Sequence, residues 1–226
     1  CAVKLFRLHE WKLLSKMISI YVICVFLPIV LTNVSFYQVT IKNIKNQKTA
    51  DADQAISRLQ SELGALIDEA AGISYLYSID TQLNKLLNTH HPSYDHYIES
   101  LNGVSHLFNR SDKEYKTISS VTIMSDNPTI LTSKQIIRLE DDARESEWYR
   151  GLKDMNDTYP HLYVTNDGIS VVQNLWDRRL TGYDNVIKID LNRSHVEQMF
   201  QLSGFEGDIY LLDPSDQARF GRLAGG

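Results

Sequence analysis

The chain has 226 residues and a formal net charge of −5. That length leaves room for one large domain or one and a half small ones. The acidic balance, with no broad basic patch, argues against nucleic acid as a partner.

Residues 1–16 carry Lys4, Arg7, Lys12 and Lys16 against Glu10, with Trp11 among them. This reads as a short basic lead-in suited to a headgroup interface, cytoplasmic in the arrangement argued below. Met17 to Ile41 follows without a single Lys, Arg, Asp, Glu or His. As a helix it spans roughly 37 Å, enough to cross a hydrocarbon core of about 30 Å. Pro28 inside it is tolerable because lipid permits no alternative to the helix. A cleavable signal would be shorter and end in small residues, whereas this stretch runs into Asn33, Phe36 and Tyr37, so an uncleaved transmembrane helix over 17–41 is expected. Charge decides the orientation poorly, since Lys42, Lys45, Lys48 and Arg58 follow the span as Lys4 to Lys16 precede it. Both cysteines, Cys1 and Cys24, lie at or inside the span. No disulfide is therefore expected in the folded part. The chain opens on Cys1 and closes soon after a new strand pair begins, which reads as a segment of a larger protein.

From Asn43 the helix is expected to continue. Ile56, Leu59, Leu63, Leu66, Ala70, Ile73 and Tyr77 recur at spacings of three and four, a stripe able to pair with a second copy of the chain or to cover a sheet of its own. Helices are predicted over Thr81–Asn88, capped by Asp80, and over Tyr94–Phe108, capped by Ser93. The period then changes. Thr117–Met124 reads as a strand closed by Ser125-Asp126-Asn127-Pro128, with Thr129–Thr132 returning. Asp141–Leu152 reads as a helix. Leu162–Thr165 and Ile169–Trp176 form a hairpin around Asn166-Asp167-Gly168. A polar loop, Asp177–Asp184, leads to a strand over Val186–Leu191, then a helix capped by Ser194 through Phe200, then a strand over Asp208–Asp213. Helices followed by hairpin-connected strands fit an α+β domain with an antiparallel sheet. The expected segments are 1–16, 17–41, 42–203 for the long helix and first sheet, and 204–226 for the start of a second sheet.

No catalytic constellation is present. There is no Gly-rich phosphate loop, no Gly-x-Ser-x-Gly, and no cysteine nucleophile outside the span. His90, His91 and His96 with Asp95 could be drawn as a metal site, but Pro92 interrupts the run and no His pair is spaced i, i+4, so no metal is expected. A binding site is easier to support. Trp148-Tyr149-Arg150 puts two aromatics and a cation beside a sheet edge, as small polar ligands require; the alternative is that Trp148 anchors its helix in the core.

The order of these features resembles a known family. Leu27-Pro28-Ile29 within one membrane helix, Ile118-Ser119-Ser120-Val121-Thr122-Ile123, and Asp126-Asn127-Pro128-Thr129-Ile130 form its first part. Ser146-Glu147-Trp148-Tyr149, Val186-Ile187-Lys188-Ile189-Asp190 and Gly207-Asp208-Ile209-Tyr210-Leu211-Leu212-Asp213 complete it. The chain thus resembles the N-terminal half of YesM-like sensor histidine kinases of Gram-positive bacteria, whose extracytoplasmic sensor is a double Cache domain with PAS-like sheets. The resemblance implies an N-in, sensor-out anchor in the cell membrane and a homodimer through the long helix. It also implies an unknown small extracellular ligand or binding protein, and a response regulator as downstream partner. The kinase part, with its ATP and magnesium, would lie outside these residues, and no cofactor is expected within them. Some Cache domains bind amino acids through Arg-x-Trp-Tyr and a later strand-end Asp. Trp148, Tyr149 and Asp190 match, and Ser146 stands where the Arg would be, so a sugar, a peptide or a binding protein stays open as ligand. Other outputs for the same sensor are a chemoreceptor, a cyclic-dinucleotide enzyme or a membrane-bound AraC-type regulator. A membrane-anchored adhesion module without ligand is the alternative of a different class.

Overall fold

A computed structural model describes residues 13–108, 116–165, 168–205, 208–212 and 218–222. Most of the basic lead-in and the Asn166-Asp167 turn lie outside the described residues. The chain divides into two compact units, Cys1–Gln54 and Ala55–Gly226.

The described residues of the first unit are helical. Helix α1 (Leu13–Tyr21) passes through a π turn (Val22–Phe26) into α2 (Leu27–Ile79). Pro28 explains the π turn. It has no N–H to offer the carbonyl four residues earlier, and the helix widens so that the Leu27 N–H donates to Val22 O. Polar residues of this stretch bond back onto their own helix. Thr32 Oγ1 donates to Pro28 O at 2.7 Å and Asn33 Nδ2 to Ile29 O at 2.8 Å. The large apolar side chains here are exposed, Phe36 at 72% and Tyr37 at 66% among them. Such an unbroken apolar surface exceeds what water tolerates on a monomer. The helix is long and apolar enough to cross a membrane.

The second unit is α+β, with a five-stranded sheet built from β1 (Ile118–Ser125), β2 (Ile136–Arg138), β3 (His161–Thr165), β4 (Gly168–Asn174) and β5 (Asn185–Leu191). The strand order is β2-β1-β5-β4-β3. The expected antiparallel sheet is mixed: β1 and β2 run parallel, with Ile123 opposite Ile136 and Ser125 opposite Arg138, whereas the other pairs are antiparallel. A parallel partner normally needs a long crossover. Here β2 pairs only with the last three residues of β1, so residues 126–135 need to double back very little. The expected return strand at Thr129–Thr132 does not form. Asn127 is buried, donates to Leu87 O and Thr89 O at 2.9 Å each, and accepts from Thr129 N, which holds this stretch as a turn.

Helices α3 (Thr81–Asn88) and α4 (Tyr94–Gly103) carry the expected caps: Asp80 Oδ1 accepts from Leu83 N at 2.7 Å, and Ser93 Oγ from His96 N at 3.3 Å. Helix α4 stops short of Phe108 at a turn that buries Val104 completely. The helix expected over Asp141–Leu152 is two, α5 (Asp141–Glu145) and α6 (Glu147–Met155), broken at Ser146. Helix α7 (Arg178–Thr181) interrupts the polar loop. Helix α8 (Arg193–Leu202) is capped by Asn192, not Ser194: Asn192 Oδ1 accepts from His195 N at 3.3 Å. A hairpin, β6 (Ile209–Leu212) with β7 (Ala218–Arg222), forms a separate two-stranded sheet.

The sheet has two faces with different chemistry. Val121, Ile123, Val171, Ile187, Ile189 and Leu191 share one core with the α2 residues Leu59, Leu66, Ala70, Ile73 and Tyr77. The helical stripe therefore covers the chain's own sheet. Ser74 Oγ donates to Gln173 Oε1 at 2.5 Å in the middle of this layer, and Trp176 Nε1 donates to Ser78 O at 2.9 Å. On the opposite face Met124, Val172 and Val186 pack against Tyr149 and Leu152 of α6.

Ile187 is fully buried and Tyr75 is 59% exposed on α2. Ile187→Ala is expected to cost about 2–5 kcal/mol by cavity formation, and Tyr75→Ala less than about 0.5 kcal/mol. Denaturation of the detergent-solubilised protein measures both, and a large loss at Tyr75 would show that its face of α2 is packed.

Candidate functional site

Strand alternation sends Val186, Lys188 and Asp190 of β5 to the face away from α2. Register then sets their neighbours: Asp190 stands opposite Ser120 of β1 on one side and Ser170 of β4 on the other. Its carboxylate accepts from both hydroxyls, Ser120 at 2.7 Å onto Oδ2 and Ser170 at 2.6 Å onto Oδ1, and pairs with Lys188 Nζ two residues earlier. Burial alone would push the Asp190 carboxyl upward. The Lys188 charge, its hydrogen bond and the two serine hydroxyls outweigh this and hold it below the usual carboxylate range.

Ser170, Lys188 and Asp190 of this row line an open cleft of about 580 Å³ together with Trp148 and Tyr163, within the size range of small-molecule sites. Trp148 reaches it from the first turn of α6, half-buried, its ring edge-on to Tyr149 with centroids 5.7 Å apart. Helix α6 can lie close to the sheet because residue 151 is glycine. A Cβ there would fall 1.9 Å from the Tyr163 hydroxyl.

Two of the three residues expected from sequence thus meet in one cleft, and the third does not. Tyr149 turns into the apolar layer beneath α6, and its hydroxyl donates to Asp184 Oδ2 at 2.5 Å. Burial first, and that hydrogen bond second, raise the phenol far above its ordinary value. Tyr149 borders a second, smaller cleft of about 380 Å³ with Lys153 and Asp184. There Lys153 Nζ donates to Asn174 Oδ1 and Asp184 Oδ1 at 2.5 Å each. Arg150 is exposed, borders neither cleft, and donates to the Glu145 carbonyl. Ser146 caps α6: its Oγ accepts from Tyr149 N at 3.4 Å and donates to Ala143 O at 2.6 Å.

The sequence reading missed Lys188, Ser120 and Ser170. Lys188 was recoverable, since residues two apart in a strand share a face. The serines were not, because only strand pairing brings them to Asp190. Pro92 does not keep the histidines apart: His91 Nε2 lies 2.8 Å from Leu86 O and its Nδ1 3.1 Å from His96 Nδ1. Among the described residues no group of three or more His, Cys, Asp or Glu is placed to hold a metal ion. No family model matches the chain, and no curated protein matches it.

A carboxylate with a depressed folded value stabilises above its unfolded value of about 4 and loses that contribution as pH falls through the lower folded one. The stability gap between the parent chain and Asp190→Asn is therefore expected to be constant above about pH 5 and to narrow steadily below about pH 4. Stability measured as a function of pH in both proteins reads this directly, and a gap that widens on acidification would reverse the assigned direction. At Gly151, alanine is expected to cost about 1–3 kcal/mol through overpacking. Adding Tyr163→Phe should recover only part of it, since Cζ would still lie 2.9 Å from the new methyl. Thermal melts of the single and double variants test this, with full recovery assigning the clash to the hydroxyl alone.

Proposed function

We propose that this chain is the membrane-anchoring and ligand-sensing segment of a two-component sensor histidine kinase, with a Cache-type sheet as its sensor. The observation that carries the reading is the double use of the same strands. Strands β4 and β5 present Ser170, Lys188 and Asp190 to the cleft and Val171, Gln173, Ile187 and Ile189 to α2. Cleft and helix are one sheet thickness apart, so a shift of these strands on ligand binding is felt at Ser74 and the α2 stripe. Helix α2 keeps its helical backbone from Leu27 to Ile79, the continuous element such a signal needs. The ligand must bind the two positions of that element with different affinity, since equal affinity shifts nothing. The resemblance in feature order and the apolar span support the same reading, with the sensor outside and the N-terminus inside. The autokinase, its ATP and magnesium, and the response regulator belong to parts not contained in these residues, and α2 is the element through which two copies would pair.

Two measurements test it. In a Cys1→Ser, Cys24→Ser background, Tyr159→Cys, at a position 72% exposed, is expected to react with a membrane-impermeant maleimide on intact cells; reaction only after lysis ends the reading. In the whole protein reconstituted with ATP and magnesium, Trp148→Ala and Asp190→Ala are expected to abolish any ligand response of autophosphorylation while basal phosphorylation persists. Unchanged responses in both variants would remove the cleft from the signalling path.

A further inference from the structure

The hydrogen-bonding inventory of the Trp148–Asp190 cleft narrows what it takes. Asp190 has about four lone-pair sites. Three are filled, by Ser170, Lys188 and Ser120, and one on Oδ2 stays open. Lys188 uses one of its three N–H donors on Asp190 and leaves two, and the Trp148 indole N–H has no acceptor among the described residues. Ser170, which lines the cleft, has given its proton to Asp190 and can still accept. The cleft therefore offers donors and acceptors interleaved, beside an aromatic ring.

Among the described residues its cations are paired. Lys188 is neutralised by Asp190, and the cleft's other cation, Arg193, is held by Glu197 at 2.7 Å and stacked over Phe220 at 5.5 Å. A ligand carboxylate placed on Lys188 would meet the Asp190 carboxylate on the same ammonium. A ligand ammonium placed on Asp190 would meet Lys188. The neighbouring like charge opposes either, and displacing it instead leaves a partly buried charge without its partner, which is costly. A neutral ligand needs no such rupture when each of its polar groups can both accept and donate. A hydroxyl does this, accepting from Lys188 or Trp148 and donating to Asp190 Oδ2, while the C–H face of a sugar ring covers the indole.

We propose that the cleft binds a neutral polyhydroxylated ligand, a mono- or disaccharide, with the Lys188–Asp190 pair kept intact as a hydrogen-bonding platform. The volume of about 580 Å³ accommodates one or two pyranose rings. This rests on the proposed ligand-sensing role of the cleft and deepens it.

The test is calorimetric titration of the whole chain in lipid nanodiscs with glucose, galactose, xylose, maltose and lactose, set against glucuronate and glucosamine. At least one neutral sugar is expected to bind saturably, at least about 10-fold tighter than either charged sugar. Lys188→Met and Trp148→Ala are each expected to weaken that binding about 10- to 100-fold, the range of a lost charged hydrogen bond, with melting curves confirming that both variants fold. Preference for a charged sugar, or equal affinity for charged and neutral ones, overturns the ligand class while leaving the cleft as a sensor, provided Trp148→Ala still removes binding. Binding indifferent to Trp148→Ala, or none by any sugar, overturns the saccharide proposal. Only a signalling response unaffected by Trp148 and Asp190 removes the sensor reading itself.

Discussion

Burial of the α2 stripe on one face of the β1-β5-β4 strands is the constraint that the rest of the second unit depends on. Leu59, Leu66, Ala70, Ile73 and Tyr77 supply the apolar contact. Full burial of a leucine or isoleucine side chain is worth about 1.5–3 kcal/mol, and of the Ala70 methyl about 0.8 kcal/mol. Ser74 and Gln173 hold the register of helix on sheet, since a slip of either would leave a buried polar group unpaired. With that face committed, period-two alternation leaves the other face to Lys188, Asp190 and the short helix α6. The cleft exists because α6 covers only part of it.

The polar row shows how a sheet can keep a charge half-buried without strain. Asp190 is surrounded by groups that its strand neighbours deliver at fixed distance, so its ionised form is solvated by protein instead of water. The same logic explains Asp184, which takes the Tyr149 hydroxyl and the Lys153 ammonium at the other end of α6. Asp184 thus ties α6 down beside the apolar layer of Tyr149 and Leu152, whereas Asp190 is held by its own strand neighbours. Ser146 begins that helix, and its hydroxyl is committed to capping. An arginine at this position would lose the cap, which typically costs about 1 kcal/mol.

Over residues 17–41 the side chains of the first unit are mostly apolar and exposed, and Thr32 and Asn33 bond back to their own helix. The single backbone defect, at Pro28, is absorbed by widening the preceding turn. In water that surface would drive aggregation. In hydrocarbon it is what allows the helix to exist.

Elements whose signals are local were legible in the sequence. The charge-free run over 17–41, the α2 stripe, the Asp80 and Ser93 caps, and the strands at 118–125 and 185–191 all follow from period, capping and composition over a few residues. Trp148 and Asp190, singled out through the resemblance, line the same cleft. The tertiary structure alone decided the rest, because it turns on which strands become neighbours. The parallel β2 depends on Asn127 reaching the end of α3, and the two serines meet Asp190 only through the register of β1, β5 and β4. Tyr149 adjoins Trp148 in sequence yet faces elsewhere, since consecutive helical residues point about 100° apart and the apolar layer claims one of them. That the stripe covers the chain's own sheet was equally open in the sequence. An amphipathic helix specifies that a face must be covered, and only the fold specifies by what.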